Sequence, residues 1–255
     1  MTVSVTDPWN LSRVMPVEGG AHVIVVSSDP GPAGPRAVVL ASGDPLPASL
    51  LADTAEAIDR AALVVAADGG LQHAHRAGRD VDVLVGDLDS VTSSALERAR
   101  RAGTEVIVHP SDKAMTDLDL ALGIVLERLG ASVGTASVPE VLVVGGHGGR
   151  LDHLLGNLLV LASDRYAGLR ICAWSGTDVV HLVRDVTTVH GDPGASVSLL
   201  ALHGPARGVT TTGLRFPLDD ALLEPGSSLG ISNELVAPIA TVRVRSGVLA
   251  AIRTA

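Results

Sequence analysis

The segment VDVLVGDLDS, residues 81–90, decides how the first part of this chain folds. Its opening residues are mostly apolar and β-branched, which predicts a buried strand, and the glycine after them marks the end of that strand. Asp87 and Asp89 follow at once and are two residues apart, so both carboxylates can point the same way. Such a pair forms an anionic, oxygen-only site of the kind that Mg²⁺ bound to a polyphosphate needs.

Short apolar runs alternate with helix-forming segments on both sides of this strand, up to about residue 165. The alternation predicts a parallel sheet that is covered by helices on both faces. The predicted strands are His22–Val26, Ala37–Leu40, Leu63–Ala66, Val81–Val85, Glu105–Val108 and Val141–Val144. The predicted helices are Ala52–Arg60, Leu71–Ala77, Ser93–Ala102, Thr116–Leu129 and Leu151–Ala162. Thr116 and Asp119 have the spacing of a capping box for the fourth helix.

Beyond about Leu169 the sequence is rich in β-forming residues and has no convincing helix. The predicted strands there are Val179–Val183, Ser196–Leu202, Val209–Leu214, Ala240–Arg245 and Val248–Ile252. Ser246-Gly247 predicts a two-residue hairpin turn between the last two. We therefore predict an N-terminal extension of unassigned role over residues 1–30, an α/β domain over 31–167 and an antiparallel domain over 168–255.

Composition narrows the class of partner. The formal charge is −9 and the chain of 255 residues has only two Trp, one Tyr and one Phe, so a surface for nucleic acid is not expected. No apolar run approaches the roughly 18 residues that span a bilayer, and the first 20 residues lack the order of a signal peptide. The single cysteine, Cys172, fits a reducing compartment. These features predict a cytoplasmic protein with a small anionic substrate whose charge a metal neutralises.

Two further motifs follow predicted strands. Asp68-Gly69-Gly70 follows Leu63–Ala66, and a glycine loop, residues 145–150, follows Val141–Val144. Ligands of open parallel sheets bind beyond the carboxyl ends of the strands, which is where these motifs and the two aspartates would meet. Each motif alone is more simply explained as a plain strand-to-helix turn, because Asp and Gly are the usual turn residues. Their coincidence on one edge favours phosphoryl-transfer chemistry.

Several residues near these motifs have both a functional and a purely structural interpretation. Asp117 begins a helix, where the dipole favours an acid in any case, and Lys113 before it either binds a phosphate or is solvated. Gly148 and Gly149 let backbone N–H groups approach a phosphate at the start of the next helix, and Arg150 can add a bidentate contact. Asp152 either caps that helix or joins the site. His153 and Asn157 lie one turn apart on it.

The ordered series of motifs resembles the thiamine pyrophosphokinase family over roughly residues 37–165. The matching segments there are Asp68-Gly69-Gly70, Gly86–Ser90, Asp112-Lys113 with Thr116-Asp117, Gly148–His153 and Asn157. In the β-rich part, Ser196–Leu199, Gly213–Leu218 and Gly230–Glu234 are similar to the family's signatures. The resemblance implies a three-layer, Rossmann-like α/β domain with a mostly parallel sheet that binds nucleotide, followed by an antiparallel β-sandwich that binds thiamine.

The resemblance also implies a reaction and an assembly. The expected enzyme is an ATP-dependent diphosphotransferase that moves diphosphate from ATP to the hydroxyl of thiamine and releases AMP. It implies Mg²⁺ as cofactor, ATP as co-substrate and a homodimer whose active sites lie at the subunit interface. No nucleic acid or membrane partner is expected.

By match to the family motifs, the expected site has three groups of residues. The catalytic group is Asp87, Asp89, Asp117 and Lys113, and the three aspartates are also the expected metal ligands. The group that binds ATP and its phosphates is Asp68, Gly69, Gly70, Gly148, Gly149, Arg150, Asp152, His153 and Asn157. The group expected near thiamine is Phe216, Ser232 and Asn233.

The chain departs from the family pattern at two positions, and three alternatives stay open. Ala114 stands where an acid usually follows the lysine, and His147 replaces a small residue of the glycine loop. One alternative is a diphosphokinase for another hydroxymethyl heterocycle such as a pterin. A second is a nucleotide- or thiamine-binding homologue that lost catalysis through Ala114. The third is a haloacid-dehalogenase-like phosphatase, which the strand followed by two aspartates roughly resembles, although Gly86 interrupts that motif.

Overall fold

The fold is known from a computed structural model that describes residues 34–112, 114–130 and 137–254. The predicted strand His22–Val26, the extension over residues 1–30 and the candidate catalytic residue Lys113 lie outside these residues. Within them, no helix combines the length and the apolar character that crossing a membrane requires.

Six parallel strands form the first part of the sheet, in the order β4-β3-β2-β1-β5-β6. Their bounds are β1 Arg36–Ala41, β2 Leu63–Ala67, β3 Val83–Gly86, β4 Glu105–Val108, β5 Glu140–Gly145 and β6 Arg170–Ser175. The five predicted strands that fall on described residues are confirmed to within two residues at each end. The sixth, β6, was not predicted, because its apolar run is only four residues long and follows a helix without a clear turn signal.

Five helices cover this sheet on both faces: α1 Leu51–Asp59, α2 Leu71–Arg76, α3 Ser93–Ala102, α4 Asp117–Gly130 and α5 Leu151–Leu161. Alternate residues of each strand face opposite layers, as strand geometry requires. Val39 and Val143 pack with α4 and α5, whereas Val38 and Leu142 pack with α1, α2 and α3. The predicted helices and the doubly covered parallel sheet are therefore confirmed.

The β-rich part extends the same sheet with antiparallel strands. Its strands are β7 Asp178–Val183, β8 Val186–His190, β9 Ser196–Thr212, β10 Ala221–Leu223, β11 Asn233–Glu234, β12 Ile239–Arg243 and β13 Ser246–Arg253. Strand β6 pairs in parallel with β5 and antiparallel with β7, so hydrogen bonding continues through the predicted domain boundary. The result is a mixed α/β fold with one large mixed sheet and a β-rich C-terminal part.

Two predictions for the β-rich part are wrong. The segments Ser196–Leu202 and Val209–Leu214 were expected as two strands, but residues 196–212 form the single strand β9. The expected hairpin at Ser246-Gly247 is also absent, because β12 and β13 each pair with a different stretch of β9 instead of with each other. A long central strand with partners along its length overrides the local turn signal, since cross-strand packing decides strand pairing.

Candidate active site

Three aspartates meet at the carboxyl edge of the parallel sheet. Asp68 follows β2, and Asp87 and Asp89 follow the neighbouring strand β3. One carboxylate oxygen from each residue lies within 4.8 Å of the other two. The expectation that these strand ends share one edge is confirmed, and we call the three residues the acidic cluster.

Asp117, the first residue of α4, comes close to the acidic cluster at Gly86. A Cβ atom added to Gly86 would lie 3.0 Å from Asp68 Cβ and 3.1 Å from Asp117 Oδ1. The missing side chain at Gly86 therefore leaves room for both carboxylates. The sequence grouped Asp117 with Asp87 and Asp89 as metal ligands, whereas the closest set of carboxylate oxygens is that of Asp68, Asp87 and Asp89.

The turn that carries Asp87 and Asp89 is anchored by the residue between them. Leu88 has a φ of +64° and packs into the apolar layer beneath α1, α2 and α3. The Asp89 N–H donates to Asp87 Oδ1 over 3.3 Å, and the Ser90 hydroxyl donates to Asp89 Oδ1 over 3.0 Å. Because Leu88 is held inward, the flanking carboxylates are presented at the surface of the sheet edge.

Asp68 is the buried member of the acidic cluster, with 4% of its surface exposed. Burial raises the pKa of its carboxyl, and the charges of Asp117 and Asp89 add to this rise, although hydrogen bonds from Ser90 and Gly69 oppose it. Within the part of the chain that the structure describes, Asp68 Oδ1 has no hydrogen-bond partner. A buried oxygen without a partner costs free energy, and a bound cation would remove that cost.

A polar pocket of about 220 Å³ lies beside Asp87 and Asp117. His153 and Asn157 of α5 line it together with these two aspartates, so four of the predicted site residues face one cavity. Ser42, Ser111 and Met115 also line it and were not predicted. Ser42 follows β1, so the rule that ligands bind beyond strand ends could have found it.

A second polar pocket, of about 270 Å³, lies next to the first and shares Ser42 with it. Gly69 and Ser90 line this pocket, and Arg76 adds a cationic side chain. Gly70 has a packing role, because a Cβ atom there would lie 2.0 Å from Leu40 O of β1. The motif after β2 therefore places Gly69 at a cavity and uses Gly70 for close contact with the sheet.

The glycine loop after β5 packs against the segment after β1. A Cβ atom on Gly145 would lie 2.4 Å from Ala41 O, and one on Gly148 would lie 2.0 Å from Asp44 Oδ2. Asp44 N–H also donates to His147 O over 2.9 Å. Close packing thus explains why residues 145 and 148 are glycine. At Gly149 an added Cβ atom would have no described atom within 4 Å, so packing does not explain that glycine.

Arg150 and Asp152 bind each other at the start of α5. The Arg150 guanidinium donates to both carboxylate oxygens of Asp152, over 3.1 and 2.5 Å. This pairing lowers the pKa of Asp152 to about 2, and the structure records no side-chain cap for α5 at Arg150. The Asp152 carboxylate also accepts a hydrogen bond from the His153 N–H of the first helical turn, so it contacts both the guanidinium and the start of the helix.

The first turn of α4 is fixed by two contacts that keep Asp117 in place. Asp119 N–H donates to Thr116 Oγ1 over 3.2 Å, which confirms the N-cap role of Thr116. The Asp119 carboxylate does not complete a capping box. It accepts a hydrogen bond from the buried Tyr166 hydroxyl, which also donates to Asp119 O over 2.8 Å.

The residues expected near thiamine gather in the β-rich part, apart from the acidic cluster. Asn233 is hydrogen-bonded to the backbone of Phe216, and Ser232 N–H donates to Ser198 Oγ over 3.1 Å. Phe216 is 62% exposed. Among the described residues that line the 220 Å³ pocket, none belongs to this group.

The donor set of the acidic cluster fits Mg²⁺. The cation is bound in proteins through one or two carboxylates together with phosphate oxygens and water, all of them hard oxygen ligands. Asp87 and Asp89 supply two carboxylates at the surface, and Asp68 adds a buried oxygen without a partner among the described residues. The arrangement can therefore hold a divalent cation against a polyphosphate in the adjoining pocket.

Comparison with known proteins assigns both parts of the chain. Residues 54–180 match the family model described as thiamin pyrophosphokinase, catalytic domain, and residues 185–249 match thiamin pyrophosphokinase, vitamin B1 binding domain. Thiamine pyrophosphokinase of Bacillus subtilis is 28% identical over 82% of this chain and 94% of its own length. Thiamine pyrophosphokinase 1 of Oryza sativa is 29% identical over 74% of this chain and 76% of its own length.

The solved structures agree with these matches. The crystal structure of the Bacillus subtilis thiamine pyrophosphokinase superimposes with a TM-score of 0.70 at 26% identity, covering 86% of this chain and 98% of that one. Two family models together span most of the sequence, the Bacillus subtilis enzyme is matched over 94% of its own length, and the fold is shared. This chain belongs to the thiamine pyrophosphokinase family.

Proposed function

We propose that this protein transfers diphosphate from ATP to the hydroxyl group of thiamine, yielding thiamine diphosphate and AMP. The observation that carries the proposal is the acidic cluster beside a polar pocket, in a chain that matches both family domains. Homologues with this name are ATP-dependent diphosphotransferases, so ATP is the co-substrate.

The acidic cluster and Asp117 are the proposed Mg²⁺ site. Asp87 and Asp89 would hold the ion, with Asp68 and Asp117 beside them. When bound, Mg²⁺ neutralises charge on the polyphosphate oxygens, which is the main electrostatic requirement of phosphoryl transfer. The buried oxygen of Asp68 without a partner among the described residues and the crowding of four carboxylates both favour cation binding at this point.

The remaining phosphate contacts are proposed for the loops around the pocket. Backbone N–H groups near Gly148 and Gly149, at the start of α5, would face the phosphates, and Lys113 would add a charge from the loop before α4. Arg150 is proposed to exchange part of its contact with Asp152 for a phosphate oxygen. His153 and Asn157 already line the pocket and would bind the nucleotide there.

The transfer itself needs little covalent chemistry from the protein. The thiamine hydroxyl oxygen attacks the β-phosphorus, the bond from that phosphorus to the oxygen of the α-phosphate breaks, and AMP leaves with the bonding electrons. The hydroxyl proton passes to a carboxylate of the site or to solvent. Positioning of the two reactants and stabilisation of phosphate charge are the proposed sources of rate.

Thiamine is proposed to bind where the β-rich part meets a second copy of the chain. Phe216, Ser232 and Asn233 do not line the acidic pocket of their own chain within the described residues, so a homodimer would supply them in trans. The α5 side chains Leu151, Leu155 and Leu159 lie at i, i+4 and i+8 and are 68%, 54% and 46% exposed. An exposed leucine row on the helix that also carries His153 and Asn157 fits a subunit contact.

The finer fold assignments belong to the same proposal. We infer a Rossmann-like α/β domain over residues 31–167 and a β-sandwich over 168–255, with the extension over 1–30 unassigned. We also infer a cytoplasmic location, no nucleic acid partner and no membrane partner. The free thiol of Cys172, which suits a reducing compartment, supports that location.

The choice among substrates and activities is settled by one assay. The protein is incubated with Mg²⁺, ATP and either thiamine or a hydroxymethyl pterin, and nucleotides and products are separated. We expect AMP and thiamine diphosphate in equal amounts, and only when thiamine is present. Transfer to the pterin would favour the alternative diphosphokinase, and binding without product would make Ala114→Asp the first variant to test for restored activity.

A further inference from the structure

Phe216 has a large apolar side chain that is exposed, although the backbone that carries it is held by hydrogen bonds. Residues 213–216 run antiparallel to residues 233–236: Arg215 N–H donates to Glu234 O over 2.9 Å, and Val236 N–H donates to Gly213 O over 3.0 Å. Leu214 and Leu235 pair across this ladder and are buried. A fixed backbone that presents a bare aromatic ring is typical of a stacking contact, because a preordered ring loses little entropy on binding.

The side chain of Asn233 is hydrogen-bonded to the backbone of Phe216, the last residue of this ladder. Its Oδ1 accepts from Phe216 N–H over 3.0 Å, and its Nδ2 donates to Phe216 O over 2.7 Å. Both backbone groups of Phe216 are thus held by one amide, as a neighbouring strand would hold them. The same Oδ1 also accepts from Glu234 N–H over 2.9 Å.

These bonds leave Asn233 little capacity for a ligand. The residue is 5% exposed, both lone pairs of Oδ1 are used, and Nδ2 retains one N–H. The Phe216 ring, by contrast, has Arg215 over it, with the guanidinium carbon 5.8 Å from the ring centre, and is otherwise largely open. The group that a substrate can reach is therefore the ring and not the amide.

We propose that Asn233 is a positioning residue that acts on thiamine only through Phe216. The inference rests on the proposed function and changes one part of it, since Asn233 was expected among the residues near thiamine. A heterocycle stacked on Phe216 depends on the ring position, and the ring position depends on the backbone that Asn233 holds.

A double-mutant cycle tests this dependence. The wild type, Phe216→Ala, Asn233→Ala and the double variant are compared for KM of thiamine, KM of ATP and kcat. We expect each single variant to raise the KM for thiamine about tenfold and to leave the KM for ATP within about twofold. The double variant should be no worse than Phe216→Ala alone, because without the ring the amide has nothing to position.

Two further variants separate positioning from loss of stability. Asn233→Asp keeps the acceptor for Phe216 N–H and removes the donor to Phe216 O, so it should raise the thiamine KM less than Asn233→Ala does. It also replaces Asn233→Ala in the cycle if that variant fails to fold. Thr104→Val is the matched control, since it removes a buried side-chain hydrogen bond, to Val81 O over 2.8 Å, at the other end of the sheet. It should lower the melting temperature and leave the KM for thiamine unchanged.

The outcomes are distinct. A thiamine KM in the double variant equal to the product of the two single effects would overturn the inference and place Asn233 on the substrate. An equal rise of the KM for thiamine and the KM for ATP in Asn233→Ala would also overturn it. A raised KM for thiamine in Thr104→Val would do the same. If the wild type neither binds thiamine by calorimetry nor converts it, the proposed function fails and the inference fails with it.

Discussion

Asp117 Oδ1 lies 3.1 Å from the position that a Cβ atom would take on Gly86. The last residue of β3 therefore has to be glycine for the first residue of α4 to reach the acidic cluster. Asp68 Cβ would lie at 3.0 Å from the same Cβ atom, so one missing side chain brings two carboxylates together. The glycine that ends the strand is thus also a requirement of the candidate metal site.

Gly86→Ala should damage the site more than the fold. The added methyl group would push Asp68 and Asp117 apart, so we expect kcat/KM to fall at least about tenfold and the Mg²⁺ concentration for half-maximal rate to rise. Gly78→Ala is the control, because Gly78 also has a positive φ, +71°, but nothing lies within 4 Å of its added Cβ. Both variants should lose about 1 kcal/mol of stability in thermal unfolding. Equal activity in the two would argue against the site.

Asp87→Asn and Asp89→Asn should each remove most turnover and leave the fold intact. Each change removes one charge from a site proposed to hold Mg²⁺ against ATP, and we expect kcat/KM to fall about a hundredfold or more. Asp80→Asn is the matched control, since Asp80 is exposed and bonds Arg98 over 3.0 Å, away from the acidic cluster. The measurement is AMP formation as a function of Mg²⁺ concentration. Normal rates with a normal Mg²⁺ dependence in both site variants would contradict the metal assignment.

The sequence predicted the α/β part well because its signals are local. The segments that form β2, β3 and β5 are apolar and are followed by glycine or aspartate. The position of each strand, its end and the edge that the strands share are therefore predictable from the sequence. The same rule places Asp68 beside Asp87 and Asp89 from the sequence alone. It missed Ser42 only because the end of β1 carried no motif.

The β-rich part was predicted less well because its pairing is nonlocal. Ser246-Gly247 has the composition of a hairpin turn, but β12 and β13 both pair with β9, and which stretch of a 17-residue strand each one meets is not encoded in the turn. The hydrogen bonds from Asn233 to Phe216 join residues 17 apart in sequence. A motif match could name both residues, but it could not show that one holds the other.

His181 should make the protein sensitive to acid. Burial, followed by the charges of His190 and Arg253, lowers its pKa from 6.5 to about 4. Because the folded pKa is the lower one, folding favours the neutral ring, and stability is lost as the pH falls from 6.5 toward 4. The loss from this residue would reach about 3 kcal/mol near pH 4.

His181→Leu tests this assignment. The variant should show a flatter dependence of unfolding free energy on pH between 6.5 and 4, measured by urea denaturation. Its activity near pH 7.5 should stay within about twofold of the wild type, because His181 lies between Cys172 and Ala251 in the sheet and outside the pocket linings. An unchanged slope would show that His181 is not the group that titrates.

A heterodimer of two impaired chains, assayed at a thiamine concentration well below the KM, can show whether the active site is shared between subunits. Asp87→Asn disables the acidic cluster, and Phe216→Ala disables the proposed thiamine contact. If each site takes its acidic cluster from one chain and Phe216 from the other, a heterodimer of the two variants has one site with both defects and one intact site. Co-expression with two different tags and purification through both should then give about half of the wild-type activity per dimer.

The same heterodimer would keep only about a twentieth of the wild-type activity if each chain built its site alone, since one site would lack a working acidic cluster and the other would carry the tenfold effect of Phe216→Ala. The two variant homodimers, purified with the same tags, set the background rate. Leu155→Glu in both chains is the complementary change, because a charge in the exposed leucine row of α5 should separate the subunits and abolish thiamine diphosphate formation. Sedimentation would show the monomer directly. A Leu155→Glu protein that is monomeric and fully active would contradict a site completed in trans.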